Sequence, residues 1–195
     1  MKNPSIATPV VNAASIPTSH GSTLAAPAPV LWLTGLSGAG KSTIAQATCR
    51  RLHAQSRHAV VLDGDDLRRG LTRDLGFSAA DRAENVRRTA EVARLMADAG
   101  LVVIVALISP FRADRALARA LFEPGRFIEV FIDTALDVAE ARDPKGLYKR
   151  ARQGLLPAFT GIGSPYEPPL DAEVHIQTLS TSVEAAAERL LARLA

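Results

Sequence analysis

Residues 35–42 read Gly-Leu-Ser-Gly-Ala-Gly-Lys-Ser and fit the pattern G-x-x-x-x-G-K-[ST] at every fixed position. Glycines in this pattern let the backbone curl, so that successive N–H groups point inward at phosphate oxygens. Lys41 is expected to reach the β- and γ-phosphates, and the Ser42 hydroxyl is expected to ligate Mg²⁺. The chemistry predicted from this segment is the binding of a nucleoside triphosphate together with a magnesium ion.

The sequence on either side of the glycine-rich segment supports that interpretation. An apolar run, VLWLT (30–34), predicts a strand, and a helix is predicted from the end of the segment through about Gln55. The positive end of that helix adds attraction for phosphate. A glycine-rich turn with an incidental lysine is a much weaker alternative, because the motif lies in the strand–helix context it requires. The predicted ATP-binding residues are Gly35, Leu36, Ser37, Gly38, Ala39, Gly40, Lys41, Ser42 and Thr43, with Ser42 as metal ligand.

A second group of chemically useful side chains follows the next apolar run. The segment HAVVLD (58–63) predicts a strand, and the acids Asp63, Asp65 and Asp66 stand at its end. Carboxylates at the C-terminal edge of a parallel strand next to the phosphate loop would face it across the crevice. They can orient an acceptor hydroxyl, take its proton, or hold Mg²⁺ through water. An ordinary polar turn after a strand is the alternative at this point.

The phosphate pattern predicts a nucleotide without fixing the reaction. The guanine-reading motif Asn-Lys-x-Asp does not occur in the sequence, which argues against a switch GTPase. The strand predicted over LVVIVALI (101–108) ends in Ser109 and Pro110, not in the aspartate that a typical ATPase uses as a metal ligand. An ATP-dependent phosphoryl-transfer enzyme is therefore favoured.

The order of predicted elements indicates an α/β fold with a doubly wound, mainly parallel sheet and a basic lid loop. A helix is predicted from a capping box at Ser78 and Asp81 to Ala99. The remaining predictions are strands over 126–133 and 173–176, helices over 113–121, 135–142 and 183–194, and a basic loop over 143–169.

Composition limits the domain organisation and the location. Residues 1–29 contain five prolines and little charge, so they predict a disordered N-terminal extension before a kinase domain over 30–195. The single cysteine, Cys49, excludes an intramolecular disulfide. No apolar run approaches the ~20 residues of a membrane span. The expected location is therefore cytoplasmic, with no membrane partner. The net charge of +3 is modest, so no nucleic-acid partner is expected either.

From about residue 30 to 176 the chain resembles the adenylylsulfate kinase family of P-loop kinases. The resemblance implies transfer of the ATP γ-phosphoryl group to the 3′-hydroxyl of adenosine 5′-phosphosulfate (APS), giving ADP and 3′-phosphoadenosine 5′-phosphosulfate. It also implies a homodimer and a possible link to an ATP sulfurylase. The blocks that carry it are, in order, GLSGAGKST (35–43), LDGDDLR (62–68), DLGFSAADRAENVRR (74–88), ISPFRADR (108–115), FIEVFID (127–133), DPKGLYKRAR (143–152), FTGI (159–162) and SPYE (164–167).

The resemblance implies a role for individual positions. Asp63 resembles the acid that aligns or deprotonates the 3′-hydroxyl, and Asp65 resembles its helper in placing Mg²⁺ and the acceptor. Phe77 and Phe159 resemble two rings that sandwich the acceptor adenine. The implied catalytic residues are Lys41, Asp63 and Ser109, and the implied substrate-binding residues are Asp65, Arg68, Phe77, Arg82, Asn85, Ile108, Ser109, Lys145, Leu147 and Phe159.

Two further groups follow from the same resemblance. Arg68, Arg82 and Asn85 resemble the residues that grip the phosphosulfate, because guanidinium forks match oxyanion geometry. Lys145 lies on the implied mobile lid. Ser109 stands where a phosphorylated intermediate has been assigned in the family, but we expect direct transfer with Ser109 positioning substrate, since phosphoryl transfer needs little covalent help. A phosphoserine is the alternative.

Three positions depart from the family pattern. Asp66 stands for a usual asparagine, Gly163 for a usual aspartate, and Ala158 for a common asparagine. These departures bear on acceptor affinity and lid behaviour, not on the reaction. Two other functions remain open from the sequence: a kinase of another small acceptor, such as gluconate, shikimate or a nucleoside, and a non-catalytic nucleotide-binding regulatory subunit.

Overall fold

The computed structural model describes residues 26–194. Strands and helices follow one another along this part of the chain, as the sequence pattern predicts. The elements are β1 (Val30–Thr34), α1 (Lys41–Ala54), β2 (Ala59–Asp63), α2 (Gly64–Arg69), α3 (Ala79–Asp98), β3 (Val102–Ala106), α4 (Arg112–Arg119), β4 (Phe127–Asp133), α5 (Leu136–Arg142), α6 (Leu147–Arg152), β5 (Val174–Gln177) and α7 (Val183–Arg193).

The five strands form one parallel sheet in the order β2-β3-β1-β4-β5. In β1, Leu31 is in register with Ile104 on one side and with Ile128 on the other. From β1 the sheet therefore grows in two directions, and the loops of both halves meet at its carboxyl end. Ligands of open α/β sheets bind at such a point. The predicted doubly wound fold is confirmed.

Helices cover both faces of the sheet, which explains why β3 is apolar throughout and why β1 is apolar up to Thr34. On one face Leu31, Leu33 and Ile104 belong to a buried cluster that includes Leu52 of α1 and Leu190 of α7. On the other face Trp32, Val103 and Val105 belong to a second cluster, which includes Ala90 of α3 and Ala118 of α4. The two clusters fix the strand ends that carry the site.

The position of β2 corrects one expectation. The acids after β2 were expected beside the strand of the phosphate loop, but β3 lies between β2 and β1. Asp63 is in register with Ala106 of β3, and Ala106 is in register with Leu33 of β1. The sequence gives no signal for this order, because all three strands are apolar runs that can pair in more than one arrangement.

Two short helices occupy segments predicted to be irregular. The prediction of a continuous loop over 143–169 is wrong in part, because α6 lies within it; α2 follows β2 directly and was not predicted. Both helices depend on a preceding aspartate: Asp63 accepts a hydrogen bond from the N–H of Asp65, and Asp143 accepts one from the N–H of Tyr148. Six-residue helices have too few residues for a periodic signal.

The predicted extension over 1–29 lies mostly outside the described residues. Of its last four residues, Ala28 is buried and belongs to the core cluster beside α1. Its N–H donates to the Ala97 carbonyl at 2.8 Å, and its carbonyl accepts from the Arg126 guanidinium at 3.2 Å. Ala28 therefore packs with the kinase domain.

Candidate active site

The phosphate loop leaves β1 at Thr34 and enters α1 at Lys41. Gly40 caps the helix in the left-handed region at φ 104°, a conformation that favours glycine. Gly38 also has positive φ, and a Cβ there would lie 3.1 Å from the Ala139 carbonyl oxygen of α5. Gly38 and Gly40 therefore allow the loop to curl, and Gly38 also allows its close contact with α5.

Lys41 is the most perturbed charged group of the loop. Its side chain is 8% exposed, and Nζ donates to the carbonyls of Gly35 at 2.9 Å and Leu36 at 2.7 Å. Burial, helped by the nearby charge of Lys145, lowers the pKa of Lys41 to about 7. Phosphate oxygens beside Nζ would favour its charged form. Lys41 is thus suited to an anionic ligand.

The acids after β2 act on the same lysine although β3 separates the strands. The negative charges of Asp63 and Asp65 both oppose the lowering of the Lys41 pKa, so they lie within electrostatic range of the loop. The exposed carboxylate of Asp65 pairs with Lys145, which lies just before α6. Asp66, the departure from the family pattern, pairs with Arg69 at 2.7 Å. The added charge of Asp66 is therefore balanced locally.

The oxygen donors of this region suit magnesium. The Ser42 hydroxyl lies in the first turn of α1, on an exposed residue, and the acids after β2 supply carboxylates. Mg²⁺ prefers such hard oxygen ligands and usually keeps several waters beside substrate phosphates. The donors fit a magnesium ion that is carried mainly by the nucleotide.

Ser109 lies in a strained turn at the end of β3. Its φ is 37°, the residue is 3% exposed, and Oγ accepts a hydrogen bond from the Trp32 indole at 3.1 Å. The Thr34 hydroxyl donates to the neighbouring Ile108 carbonyl at 2.7 Å. Within the described residues, the partner of the Ser109 hydroxyl is a donor and not a base, whereas a nucleophilic serine needs a base. This geometry favours the positioning role.

The predicted acceptor residues Arg68, Phe77 and Arg82 lie together. The Phe77 ring is 53% exposed, with the Arg68 guanidinium carbon 4.4 Å from its centroid. Arg82 is buried and donates to the carbonyls of Phe77 at 3.0 Å and Ala158 at 2.6 Å. Arg82 therefore ties the start of α3 to the segment before Phe159. Two of its donor groups bind backbone, which the sequence could not reveal.

Asn85 carries a buried polar atom that needs a partner. The residue is 7% exposed, and its Oδ1 has no hydrogen-bond partner in the described part of the chain. It lies three residues after Arg82 in α3, hence on the same face of the helix. Buried amide oxygens are nearly always bonded. A polar ligand beside Arg82 would satisfy this one.

Phe159 lies at the junction of the acceptor side and the lid. Its ring meets the Tyr148 ring edge-on, with centroids 4.9 Å apart. Lys145 and Leu147 precede Tyr148 on the same segment, with Lys145 paired to Asp65. The farther lid cation Arg152 pairs with Glu140 of α5 at 2.8 Å. Lys145 thus reaches Asp65 and Tyr148 reaches Phe159, two of the predicted substrate-binding residues.

A cavity of about 530 Å³ opens beside the phosphate loop. It was not predicted as a unit, although most of its lining lies in the blocks FTGI and SPYE. Tyr166 anchors it, with its hydroxyl 3.1 Å from the Thr34 hydroxyl. The lining residues are Leu36, Leu136, Gly161, Ile162, Gly163, Ser164, Pro165 and Tyr166.

Arg115 is a further residue that sequence reasoning missed. Its buried guanidinium donates to Glu129 Oε1 at 2.6 Å and to the carbonyls of Ser109 at 2.7 Å and Glu167 at 2.8 Å. It therefore joins β4, the Ser109 turn and the wall of the cavity. The block ISPFRADR contains this arginine, but only the fold reveals its three partners.

Comparison with known proteins agrees with this geometry. A family model described as adenylylsulphate kinase matches residues 27–177. The chain belongs to the adenylylsulphate kinase family. An adenylyl-sulfate kinase of Burkholderia ambifaria is 67% identical over 153 residues, covering 78% of this chain and 84% of the relative.

Other members of the adenylylsulphate kinase family include longer proteins. A bifunctional enzyme CysN/CysC of Xylella fastidiosa is 58% identical over 165 residues, and this chain spans only 26% of its length. Among solved structures, the Mycobacterium tuberculosis APS kinase CysC in complex with AMPPNP and APS has a TM-score of 0.83 and 46% identity, covering 87% of this chain and 98% of that one. A hexameric APS kinase from Thiobacillus denitrificans has a TM-score of 0.65 and 33% identity, covering 87% and 29%.

No helix within residues 26–194 is long and apolar enough to cross a membrane.

Proposed function

We propose that this member of the family is an adenylyl-sulfate kinase, which transfers the γ-phosphoryl group of ATP to the 3′-hydroxyl of APS. One observation carries the proposal: four charged groups interact electrostatically at one end of the sheet. They are the buried Lys41, the carboxylates of Asp63 and Asp65, and Lys145. A donor phosphate and an acceptor hydroxyl both need such groups. A protein that only binds nucleotide has no need of the acids on the acceptor side.

On the donor side, the phosphate loop would hold ATP through its backbone N–H groups and the positive end of α1. The Lys41 ammonium would neutralise charge that develops on the transferred group. Bound Mg²⁺ supplies further neutralisation of the phosphate oxygens. Among this chain's residues, the Ser42 hydroxyl would ligate it directly, and Asp63 and Asp65 would hold it through water.

On the acceptor side, Asp63 is proposed to orient the 3′-hydroxyl and to accept its proton. Its carboxylate is already fixed, because Oδ1 accepts from the Asp65 N–H at 2.9 Å. Phe77 and Phe159 would bind the adenine by stacking, and Arg68 and Asn85 would bind the phosphosulfate. The exposed ring of Phe77 supports the stacking role.

We propose direct transfer, with Ser109 as a positioning residue. Lys41 and the lid would hold donor and acceptor in line, and this alignment supplies much of the rate. The Trp32 indole holds Ser109 Oγ in the buried turn, which supports a structural use of the hydroxyl. Inversion of configuration at a chirally labelled γ-phosphate would agree with this view, whereas retention would require a phosphoenzyme.

The acceptor is tested by an ADP-release assay on the purified chain with a panel of acceptors at equal concentration. APS is expected to be used with a far higher kcat/KM than gluconate, shikimate or adenosine, because only APS offers both an adenine ring and a phosphosulfate. Adenosine 5′-monophosphate is the matched control, since it has the ring and the ribose but no sulfate. Preference for a sugar acid would overturn the proposal.

The partners are also proposals. This chain matches about a quarter of a bifunctional relative, which supports a kinase that works beside a second enzyme. We propose that this enzyme is an ATP sulfurylase, which makes APS. A homodimer in the cytoplasm stays a prediction, and light scattering on the purified chain measures its assembly.

A further inference from the structure

Tyr148 occupies an unusual place between the donor and acceptor sides. It lies in α6 and is 1% exposed. Its hydroxyl donates to the Ser37 carbonyl of the phosphate loop at 2.9 Å. Its ring meets the Phe159 ring edge-on, with the two planes 84° apart. One side chain therefore contacts both halves of the proposed site.

The tyrosine itself is held firmly. The Asp143 carboxylate accepts hydrogen bonds from the backbone N–H groups of Tyr148 at 3.1 Å and Lys149 at 3.0 Å, which fixes the first turn of α6. Burial, with the charges of Asp143 and Glu140, raises the pKa of Tyr148 to about 12. The hydroxyl therefore stays protonated near neutral pH and remains a donor to Ser37.

Both partners of Tyr148 are also anchored. On the donor side, Gly38 follows Ser37 and packs closely against α5. A Cβ added to Gly38 would lie only 3.1 Å from the Ala139 carbonyl oxygen. On the acceptor side, the Phe159 carbonyl accepts N–H groups from Ile162, Gly163 and Ser164 at 3.0–3.1 Å. A displacement of the phosphate loop would therefore be transmitted through the Tyr148 side chain to the Phe159 ring.

We propose that Tyr148 is a positioning residue that couples nucleotide binding to acceptor binding. Phosphates in the loop would fix the Ser37 carbonyl, hence the tyrosine and the ring against which the acceptor adenine stacks. The second ligand then meets a site that the first has already ordered, which gives positive cooperativity. The inference rests on the proposed function, because it takes the Phe159 ring as part of the acceptor site.

The test compares Tyr148→Phe with the parent chain. The dissociation constant of APS is measured with and without saturating AMPPNP, and that of AMPPNP with and without APS. In the parent chain each ligand should tighten the other by the same factor, about 3- to 10-fold, the size of one hydrogen bond. In Y148F the factor should fall to about one, while APS affinity without nucleotide stays unchanged because the ring remains.

Tyr166→Phe is the matched control. It also removes a tyrosine hydroxyl, but one that is partly buried and hydrogen-bonded to Thr34 instead of to Ser37. Y166F should keep the coupling factor of the parent. Phe159→Leu breaks the chain of contacts from the acceptor side, so the factor should also fall in F159L and should fall no further in the double variant.

Three results would overturn the inference: no coupling in the parent chain, parental coupling in Y148F, or equal loss of coupling in Y148F and Y166F. Turnover of APS by the parent chain separates this test from the proposed function. A chain that turns over APS while Y148F keeps its coupling retains the function and loses only the role of Tyr148. A parent chain that does not bind APS overturns both.

Discussion

At the residue scale, Lys41 connects the sequence motif to the chemistry. The motif predicts the lysine but not its burial, nor the two backbone carbonyls that hold Nζ. These contacts direct the ammonium into the phosphate loop and remove it from water. An electrostatic interaction is worth more in such a site than in solvent.

Lys41→Ala should therefore lower kcat by at least about 10²-fold, because the charge on the transferred group loses its fixed counter-charge. The measurement is steady-state turnover of APS, with circular dichroism as the check on folding. Lys149→Ala, which removes an exposed lid lysine, is the control and should keep most of the activity. Near-normal turnover in folded K41A would contradict the phosphate role.

Nucleotide binding should also take up a proton. The pKa of Lys41 is about 7 in the structure, and phosphate oxygens favour the ammonium, so binding raises that pKa. Above about pH 7 the free amine must be protonated on binding, and affinity therefore falls as pH rises toward the raised pKa. Calorimetry of AMPPNP binding at about pH 8, in two buffers of different ionisation enthalpy, measures the uptake.

Lys145 provides the internal check on this proton uptake. Its positive charge helps to lower the Lys41 pKa, so Lys145→Ala should raise that pKa in the free protein and reduce the uptake. Lys149→Ala should leave the uptake as it is. Absence of proton uptake in the parent chain across about pH 7 to 9 would mean that Lys41 is already charged when the nucleotide arrives.

At the element scale, the features that the sequence did not predict lie in the segments between the strands and the long helices. The strands and α3 are predictable because the apolar runs of the strands, and the box at Ser78 and Asp81 that starts α3, are local signals. The helices α2 and α6 are not, because each is only six residues long and is held at its start by one aspartate: Asp63 caps α2, and Asp143 accepts from the first turn of α6. The junction at Arg115, which joins β4, the Ser109 turn and Glu167, depends on contacts between residues far apart in the chain.

The segment 157–164 contains one departure from the family pattern with a clear structural correlate. A Cβ on Gly163 would overlap the Pro157 carbonyl oxygen, so this close turn requires glycine. The turn presents the Ala158 carbonyl to Arg82 at 2.6 Å and positions Phe159. The resemblance in sequence marks Gly163 as a departure, and the backbone packing shows the close contact that a side chain there would meet.

Gly163→Ala should therefore push Gly163 away from Pro157 and weaken APS binding by about 1–3 kcal/mol, the usual cost of overpacking. AMPPNP binding should change little, because a Cβ on Gly163 would meet Pro157 and Ala158 and not the phosphate loop. Gly154→Ala is an informative comparison, since a Cβ there meets nothing within 4 Å and only its φ of 75° is strained. Unchanged APS affinity in G163A would show that the turn adapts freely.

At the scale of the whole molecule, the sheet order determines which loops meet. The fold class follows from alternating strands and helices, yet the insertion of β3 between β1 and β2 does not, because buried parallel strands share one apolar pattern. The domain boundary is similarly hard to predict. Ala28 has no distinctive local signal, but it is buried in the core cluster beside α1, and its N–H donates to Ala97 of α3.

Two truncations test that boundary. A chain that begins at Ala26 should keep the parental melting temperature, because the residues removed offer few large apolar side chains. A chain that begins at Pro29 loses the hydrogen bonds of Ala28 to Ala97 and Arg126, so it should melt lower by about 2–6 °C. Equal melting temperatures for the two would show that the contacts of Ala28 add nothing.

The most direct test of the account is the identity of the product. The purified chain is incubated with APS and ATP labelled in the γ-phosphate, and the product is analysed by mass and by phosphorus and proton NMR. The account predicts one labelled phosphate on the ribose 3′-oxygen of APS, with one ADP formed for each. Release of ADP with the label in inorganic phosphate, or a label at any other position, would contradict it.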